Sequence, residues 1–398
     1  VDDTARDFDE RTVLHWRHWT RRLALPLQWQ DAVIRAAITL KLCQYEDTGA
    51  IVAALTTSIP EAPHSGRNWD YRYCWLRDAF FVVRALNGLA EVGTMERYLQ
   101  WLYNVVRGAD GGHVQPLYGI GLERACPIGR GRRPGYRGMG PVRVGNQAHE
   151  HFQHDVYGHI VLGAAQAFHD HRLFRRGNAA DFARAGSCGR TGLGAARPAR
   201  RRHLGAAHAR PRAHLVGADV LGRLRPAGTR RALGLGERAA HWRQRAGGAR
   251  ADPAARLERA RGAFVESLDG ETLDASVLLM AEVGFLPPHD PRFVPPSGSS
   301  TRWSTACCAT APSCAATRQA DDFGRPEVAS PPVRSGASTR WRAWAAANRR
   351  TEAFEALLAR RNAAGLLSED GSHPAAASSG ATSRRPIRWW ASSTARCA

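Results

Sequence analysis

Lysine is almost missing from this 398-residue chain: Lys41 stands alone among 56 basic residues, so the net charge of +20 is an arginine charge. Lysine codons are A-rich and most arginine codons are G/C-rich, which points to a GC-rich gene rather than to a surface shaped for an acidic partner. The arginines crowd into Ala/Gly/Pro-rich stretches with no aromatic interleaving and no recognition motif, so no nucleic-acid partner is expected. No apolar run approaches the ~18 residues of a membrane span, and the acidic Val-Asp-Asp start is unlike a signal peptide. No membrane partner and a cytoplasmic setting are expected. The eight cysteines fall at irregular spacings, Cys307, Cys308 and Cys314 included, which suits neither a zinc site nor a disulfide framework. A phosphate-cradling Gly-x-x-x-x-Gly-Lys-Ser/Thr loop is also missing. The chain lacks an initiator methionine and is expected to be a fragment.

What is present is helical periodicity. Val13 to Leu23 is Trp-rich and helix-like, and the pattern resumes from Trp29 to Cys43 through Val33, Ile34, Ala37 and Leu40. Ala79–Leu89 and Met95–Val106 form successive amphipathic patterns broken near Gly93-Thr94. Gly108 to Gly140 is glycine-rich and irregular, as loops around functional sites often are. A histidine-rich helix is predicted from Glu150 to His169. His151, Asp155 and His159 would share one of its faces, a possible metal site. A metalloprotease-type second histidine is absent after His149-Glu150, and a packed or solvated face with no metal is the preferred reading. Arg350 to Arg361 is a further amphipathic helix.

Between the loop and the helix patterns lies Asn68 to Asp78, Asn-Trp-Asp-Tyr-Arg-Tyr-Cys-Trp-Leu-Arg-Asp. Trp69, Tyr71, Tyr73 and Trp75 alternate with polar or charged residues. Aromatic faces beside guanidinium and carboxylate groups suit a sugar, whose C–H face stacks while its hydroxyls are held by directional hydrogen bonds. The competing reading is a buried, packed Arg77–Asp78 region with no ligand.

This stretch, together with Thr48–Ala54, Thr56–Ala62, Val142–Asn146 and Gln153–Gly158, resembles the catalytic domain of glycoside hydrolase family 15, the family of glucoamylases and bacterial trehalases. The resemblance implies an all-α (α/α)6 barrel of the six-hairpin type, expected to be incomplete here, and a chemistry that requires no cofactor. It implies hydrolysis of a terminal α-glucosidic bond with inversion, on trehalose or on the non-reducing end of an α-glucan. Trp75, Arg77 and Asp78 would line the terminal glucose subsite, with Trp69, Asp70 and Tyr71 beside them and Gln153 and Asp155 as hydroxyl-binding or supporting groups. The family usually has an acidic residue where this chain has His159.

Residues 1–28 are expected to be the lead-in from a missing N-terminal domain, and 29–398 the catalytic domain. Three stretches of the latter, near 184–230, 295–341 and 378–398, lose periodicity and turn Ala/Gly/Arg/Pro-rich. Shifting the codon frame there restores family-like text, including a Trp-Glu that would carry the general acid. As translated, that acid is lost near Gly205. Inversion needs two carboxyl groups about 6.5–9.5 Å apart, an acid and a base. The base implied by the resemblance is Glu369, in Leu367-Ser368-Glu369-Asp370. The alternatives are an inactive frameshifted remnant and an arginine-rich nucleic-acid binder.

Overall fold

The computed structural model describes residues 2–195, apart from 62, 110, 111, 125 and 132, and residues 347–367. The described chain is dominated by helices: α1 (Asp2–Thr20), α2 (Gln30–Leu42), α3 (Leu76–Gly88), α4 (Gly93–Ala109), α5 (His154–His169), α6 (Ala179–Ala195) and α7 (Ala347–Leu358). Two short antiparallel ribbons join them. In one, β1 (Cys74–Trp75) pairs with β2 (Leu117–Tyr118); in the other, β3 (Gly129–Gly131) pairs with β4 (Val142–Val144).

The helices follow from apolar spacing. On α3 the buried residues Leu76, Ala79, Phe80, Val83 and Leu86 recur every three or four positions, and Met95, Tyr98, Leu99, Leu102 and Val105 do the same on α4. Such stripes can be buried only against another apolar face. The two helices pack together as a hairpin, and α5 packs on α3. In α5, Val156, Tyr157, Ile160, Val161, Ala164 and Phe168 are all buried, and burial on more than one face marks it as an inner helix. At Gly163 an added Cβ would come within 3.5 Å of Leu102 and 3.9 Å of Phe80 and Tyr98, so α5 passes close to both helices of the hairpin. Helix α6 packs on α5 in turn.

Helix ends are set by local chemistry. The Glu91 carboxylate accepts the Thr94 N–H at 2.8 Å, capping the start of α4, where the helix dipole favours an anion. At the other end of the described chain, Phe354 of α7 meets Trp29, edge to face, at 4.7 Å, and the backbone at Gly365 approaches the Arg35 side chain of α2.

Several boundaries differ from expectation. Helix α1 extends back to Asp2, because the aspartates of its first turn are good helix-start residues that carry no apolar signal. Helix α5 begins at His154, after a 3₁₀ turn over Gln147–Glu150, so His151 precedes the helix and does not share a helical face with Asp155 and His159. Helix α6 runs through Arg184 to Ala195, past the point where periodicity fades. The remainder of the 184–230 stretch and all of 295–341 and 378–398 lie outside the described residues. No helix among the described residues is long and apolar enough to cross a membrane.

Gly49 sits at φ +84, and a Cβ there would fall 2.2 Å from the Arg97 carbonyl oxygen. Gly49→Ala therefore carries both backbone strain and a backbone clash. It is expected to lower stability by more than about 1 kcal/mol, measured as a shift in the urea unfolding midpoint at unchanged slope.

Candidate active site

Residues 69–73 dock by backbone hydrogen bonds on the preceding loop. Ala53 N–H donates to Tyr73, Ala54 N–H to Tyr71 and Ser58 N–H to Trp69, all at 2.8–2.9 Å. The aromatic residues occupy the odd positions of this stretch. Tyr71 and Trp75 have ring centroids 5.6 Å apart, and Trp75 is buried with Tyr71, Tyr73, Ala53 and Ala148 around it.

Asp70, on an even position, is fully buried. Its carboxylate accepts two hydrogen bonds from the Arg72 guanidinium at 2.9 Å and the Gly145 N–H at 3.1 Å, while its carbonyl accepts Asn146 Nδ2 at 3.1 Å. The carboxylate is spent on joining the aromatic stretch to the 142–146 segment. That is a scaffold contact.

The chain enters α3 at Leu76, and α3 and α5 bring their N-terminal turns together. Arg77 lies between the first-turn carboxylates of both. Its Nη2 is 3.2 Å from Asp78 Oδ2, and its Nη1 donates to Asp155 Oδ2 at 3.3 Å. Asp78 above all, then Asp155, holds the guanidinium further above its ordinary range, against the opposing effect of burial. The Arg77 side chain remains 40% exposed, against 11% for Asp78 and 20% for Asp155. Asp78 Oδ2 is buried and ion-paired, yet among the described residues it receives no directional hydrogen bond. Asp78 also lines a shallow concavity open to solvent, whose other walls are Cys43, Val52, Ala53, Ala79, Phe81 and Val82. Burial pushes the Cys43 thiol up to about 12, so it is a neutral wall residue.

Gln153 immediately precedes α5, and its buried Oε1 has no hydrogen-bond partner among the described residues. His159, one turn into α5, hydrogen-bonds through Nδ1 to the Asp155 carbonyl oxygen at 2.7 Å and packs against Phe80 and Phe81 at 5.4 Å. Trp69 lies apart from the Arg77 pair in a cluster with Glu61, Arg67 and Arg143, taken up below.

The structure thus brings Arg77, Asp78 and Asp155 into direct contact and Tyr71 against Trp75. Glu369 and Gly205 lie outside the described residues. Among the described residues no group of three or more His, Cys, Asp or Glu side chains is arranged to hold a metal ion. Sequence reasoning missed Phe81 and Val52 as wall residues, because on one sequence they read as core positions of helix and loop. It also missed Glu61, whose only signal was a carboxylate inside an otherwise apolar Ile-Pro-Glu-Ala run.

Asp70→Asn removes one charge from the Arg72 pair and an acceptor from Gly145, while Arg72, 46% exposed, keeps its access to water. A loss of about 1–3 kcal/mol is expected, since the buried hydrogen bonds are weakened without stranding a buried cation. It is checked by thermal unfolding.

Burial holds the His159 imidazole below its ordinary 6.5; Arg77 acts in the same direction, and Asp155 and Asp78 oppose it. The unfolded chain therefore takes up this proton first as pH falls. Above about 6.5 the histidine costs nothing, and below it stability is lost progressively until the folded value is reached. His159→Leu should flatten the slope of unfolding free energy against pH below 6.5. A slope of the same sign should persist from His113, which burial also depresses.

Residues 28–182 match the family model described as Glycosyl hydrolases family 15. A trehalase of Mycobacterium tuberculosis is 33% identical over 299 residues, 73% of this chain and 43% of that protein. A trehalase of Thermoplasma acidophilum is 37% identical over 158 residues, 38% of this chain and 26% of that one. The chain spans less than half the length of these curated relatives. Among solved structures, a bacterial glucoamylase complexed with acarbose aligns at TM-score 0.63 and 13% identity, covering 98% of this chain and 58% of that chain. A glycosidase aligns at TM-score 0.60 and 16% identity, covering 95% and 96%. These likenesses give the fold, an all-α (α/α)6 barrel of the six-hairpin type. With the 28–182 match and the trehalase relatives, they place the chain in glycosyl hydrolases family 15.

Proposed function

We propose that this chain binds the terminal glucose of an α-glucoside at the Arg77–Asp78 face of α3 and belongs to an enzyme that hydrolyses that bond with inversion. The observation that carries the reading is the state of Asp78 Oδ2. It is ion-paired with Arg77 but receives no well-aligned hydrogen bond among the described residues, and Asp78 lines an otherwise mostly apolar concavity. A sugar hydroxyl supplies the missing donor, and charge-assisted hydrogen bonds of this kind are about twice as strong as neutral ones. The apolar walls, Phe81 among them, suit the C–H face of the ring. Asp155 holds the far side of Arg77, so the guanidinium is oriented before the sugar arrives. Gln153 Oε1 is a second acceptor ready for a hydroxyl.

Trehalose is the favoured substrate, supported by the likeness to the trehalases of Mycobacterium tuberculosis and Thermoplasma acidophilum; a glucoamylase-like action on α-glucans uses the same groups. In this reading Glu369 is the general base that activates water, no cofactor takes part, and Trp69, Tyr71 and Trp75 shape the approach to the subsite. Residues 29–398 are the catalytic domain and 1–28 lead into it. The general acid is the group that the translated sequence lacks near Gly205.

Two measurements test this. Asp78→Asn keeps the shape but weakens the acceptor, and is expected to lower kcat/KM for any α-glucoside by at least about 10-fold, equal to ~1.4 kcal/mol; an unchanged kcat/KM removes Asp78 from the site. α-Glucosyl fluoride, whose leaving group needs no protonation, should be turned over about 10²- to 10⁴-fold faster than trehalose if the acid is missing. The sugar released should be the β-anomer, read by proton NMR. Release of the α-anomer contradicts inversion, and failure to turn over the fluoride identifies an inactive remnant.

A further inference from the structure

Trp69 is held at its edge and on its face by charged side chains from two other segments. Its indole Nε1 donates to Glu61 Oε1 at 2.8 Å, and the other oxygen of that carboxylate accepts Arg67 Nε at 2.6 Å. The Arg143 guanidinium lies 5.0 Å from the centre of the Trp69 ring. Arg143 is itself set by the loop below: its N–H donates to Ser58 Oγ at 2.7 Å, and its carbonyl accepts Thr57 Oγ1 at 2.7 Å and Ser58 Oγ at 3.1 Å. Glu61 and Arg67 are only 14% and 11% exposed, while Trp69 is half-buried.

A tryptophan used only to fill a core needs its N–H satisfied, and a backbone carbonyl would do that. Here the acceptor is a nearly buried carboxylate that is itself fixed by an arginine, and a second arginine sits over the ring. This fixes the ring plane as well as its position, a constraint that apolar packing alone supplies poorly. Orientation matters for stacking on a sugar, because C–H groups must meet the π face and not the edge.

We propose that Glu61 is a positioning residue for sugar binding, fixing the partly exposed Trp69 indole so that it forms part of the wall that the substrate meets. This rests on the reading above that the aromatic stretch borders the glucose subsite. Glu61 touches no substrate itself. Its effect is on affinity, through the ring it orients.

The test is calorimetric titration of the full chain with glucose, which reads binding without requiring turnover. Glu61→Leu removes the acceptor and is expected to weaken glucose about fivefold, the equivalent of one hydrogen bond's net worth. Glu61→Gln restores an acceptor and should recover most of that loss. Trp69→Phe removes the N–H and should weaken glucose similarly, and adding Glu61→Leu to it should cost nothing more, because the two act through one bond. Additive losses, or a Glu61→Leu chain that binds glucose as the parent does, overturn the proposal. A chain with lowered Tm but unchanged affinity also overturns it, showing a structural role only. If Glu61→Leu does not fold, Glu61→Ala takes its place with the same outcomes. Trp69→Ala separates the two ideas. If it binds glucose normally while Asp78→Asn does not, the subsite stands at Arg77–Asp78 and only the role of Glu61 and Trp69 falls. If neither variant affects glucose, the subsite reading falls with it.

Discussion

One guanidinium shared by two helix starts is the interaction on which the candidate site depends. Asp78 and Asp155 each lie in the first turn of a helix, where the backbone dipole favours an anion. Two such turns brought together also bring two carboxylates together, and without a cation between them their repulsion would oppose the α3–α5 packing. Arg77 removes that conflict from within α3 itself. The core can then close over Leu76, Phe80, Val156 and Ile160, and the site is a by-product of how the two helices are made to converge. His159 completes the arrangement on the α5 side, neutral and packed on Phe80 and Phe81.

Around this pair the scaffold is built from polar side chains that bond to backbone. Asp70 reaches Gly145, Asn146 reaches back to Asp70, Thr57 and Ser58 hold Arg143, and Gln115 Nε2 donates to the carbonyls of Arg124 and His149. Loops without a regular ladder must satisfy their buried peptide groups one at a time. The short ribbons β1–β2 and β3–β4 show how little sheet is needed once side chains do this.

Much of this was legible in the sequence, for identifiable reasons. Helices α2, α3 and α4 were visible because a single apolar stripe dominates each, and Arg77 and Asp78 stood out because charges at the start of such a stripe are conspicuous. The contact of Arg77 with Asp155 was not readable from pattern, because it joins segments 78 residues apart. Asp70 reads as a sugar-side group because an isolated carboxylate among aromatics suits one, while its bond to Gly145, 75 residues further on, leaves no signal in the sequence. The face assigned to His151 assumed an unbroken helix, and the turn at Gln147–Glu150, started by Asn146 accepting the Ala148 N–H, breaks it.

The edge-to-face contact of Trp29 with Phe354 joins parts of the chain made at very different times. More than 300 residues separate the two rings, and at synthesis rates of about 5–20 residues per second the first waits roughly 15–65 s for the second. During that interval the start of α2 carries an aromatic surface with its eventual neighbour still unmade. The N-terminal helices can collapse around Tyr98 and Trp101 early, but this seam closes only when α7 arrives. Ribosome-associated holding of the nascent chain would protect that surface, and release before Phe354 is made would leave it open to other chains.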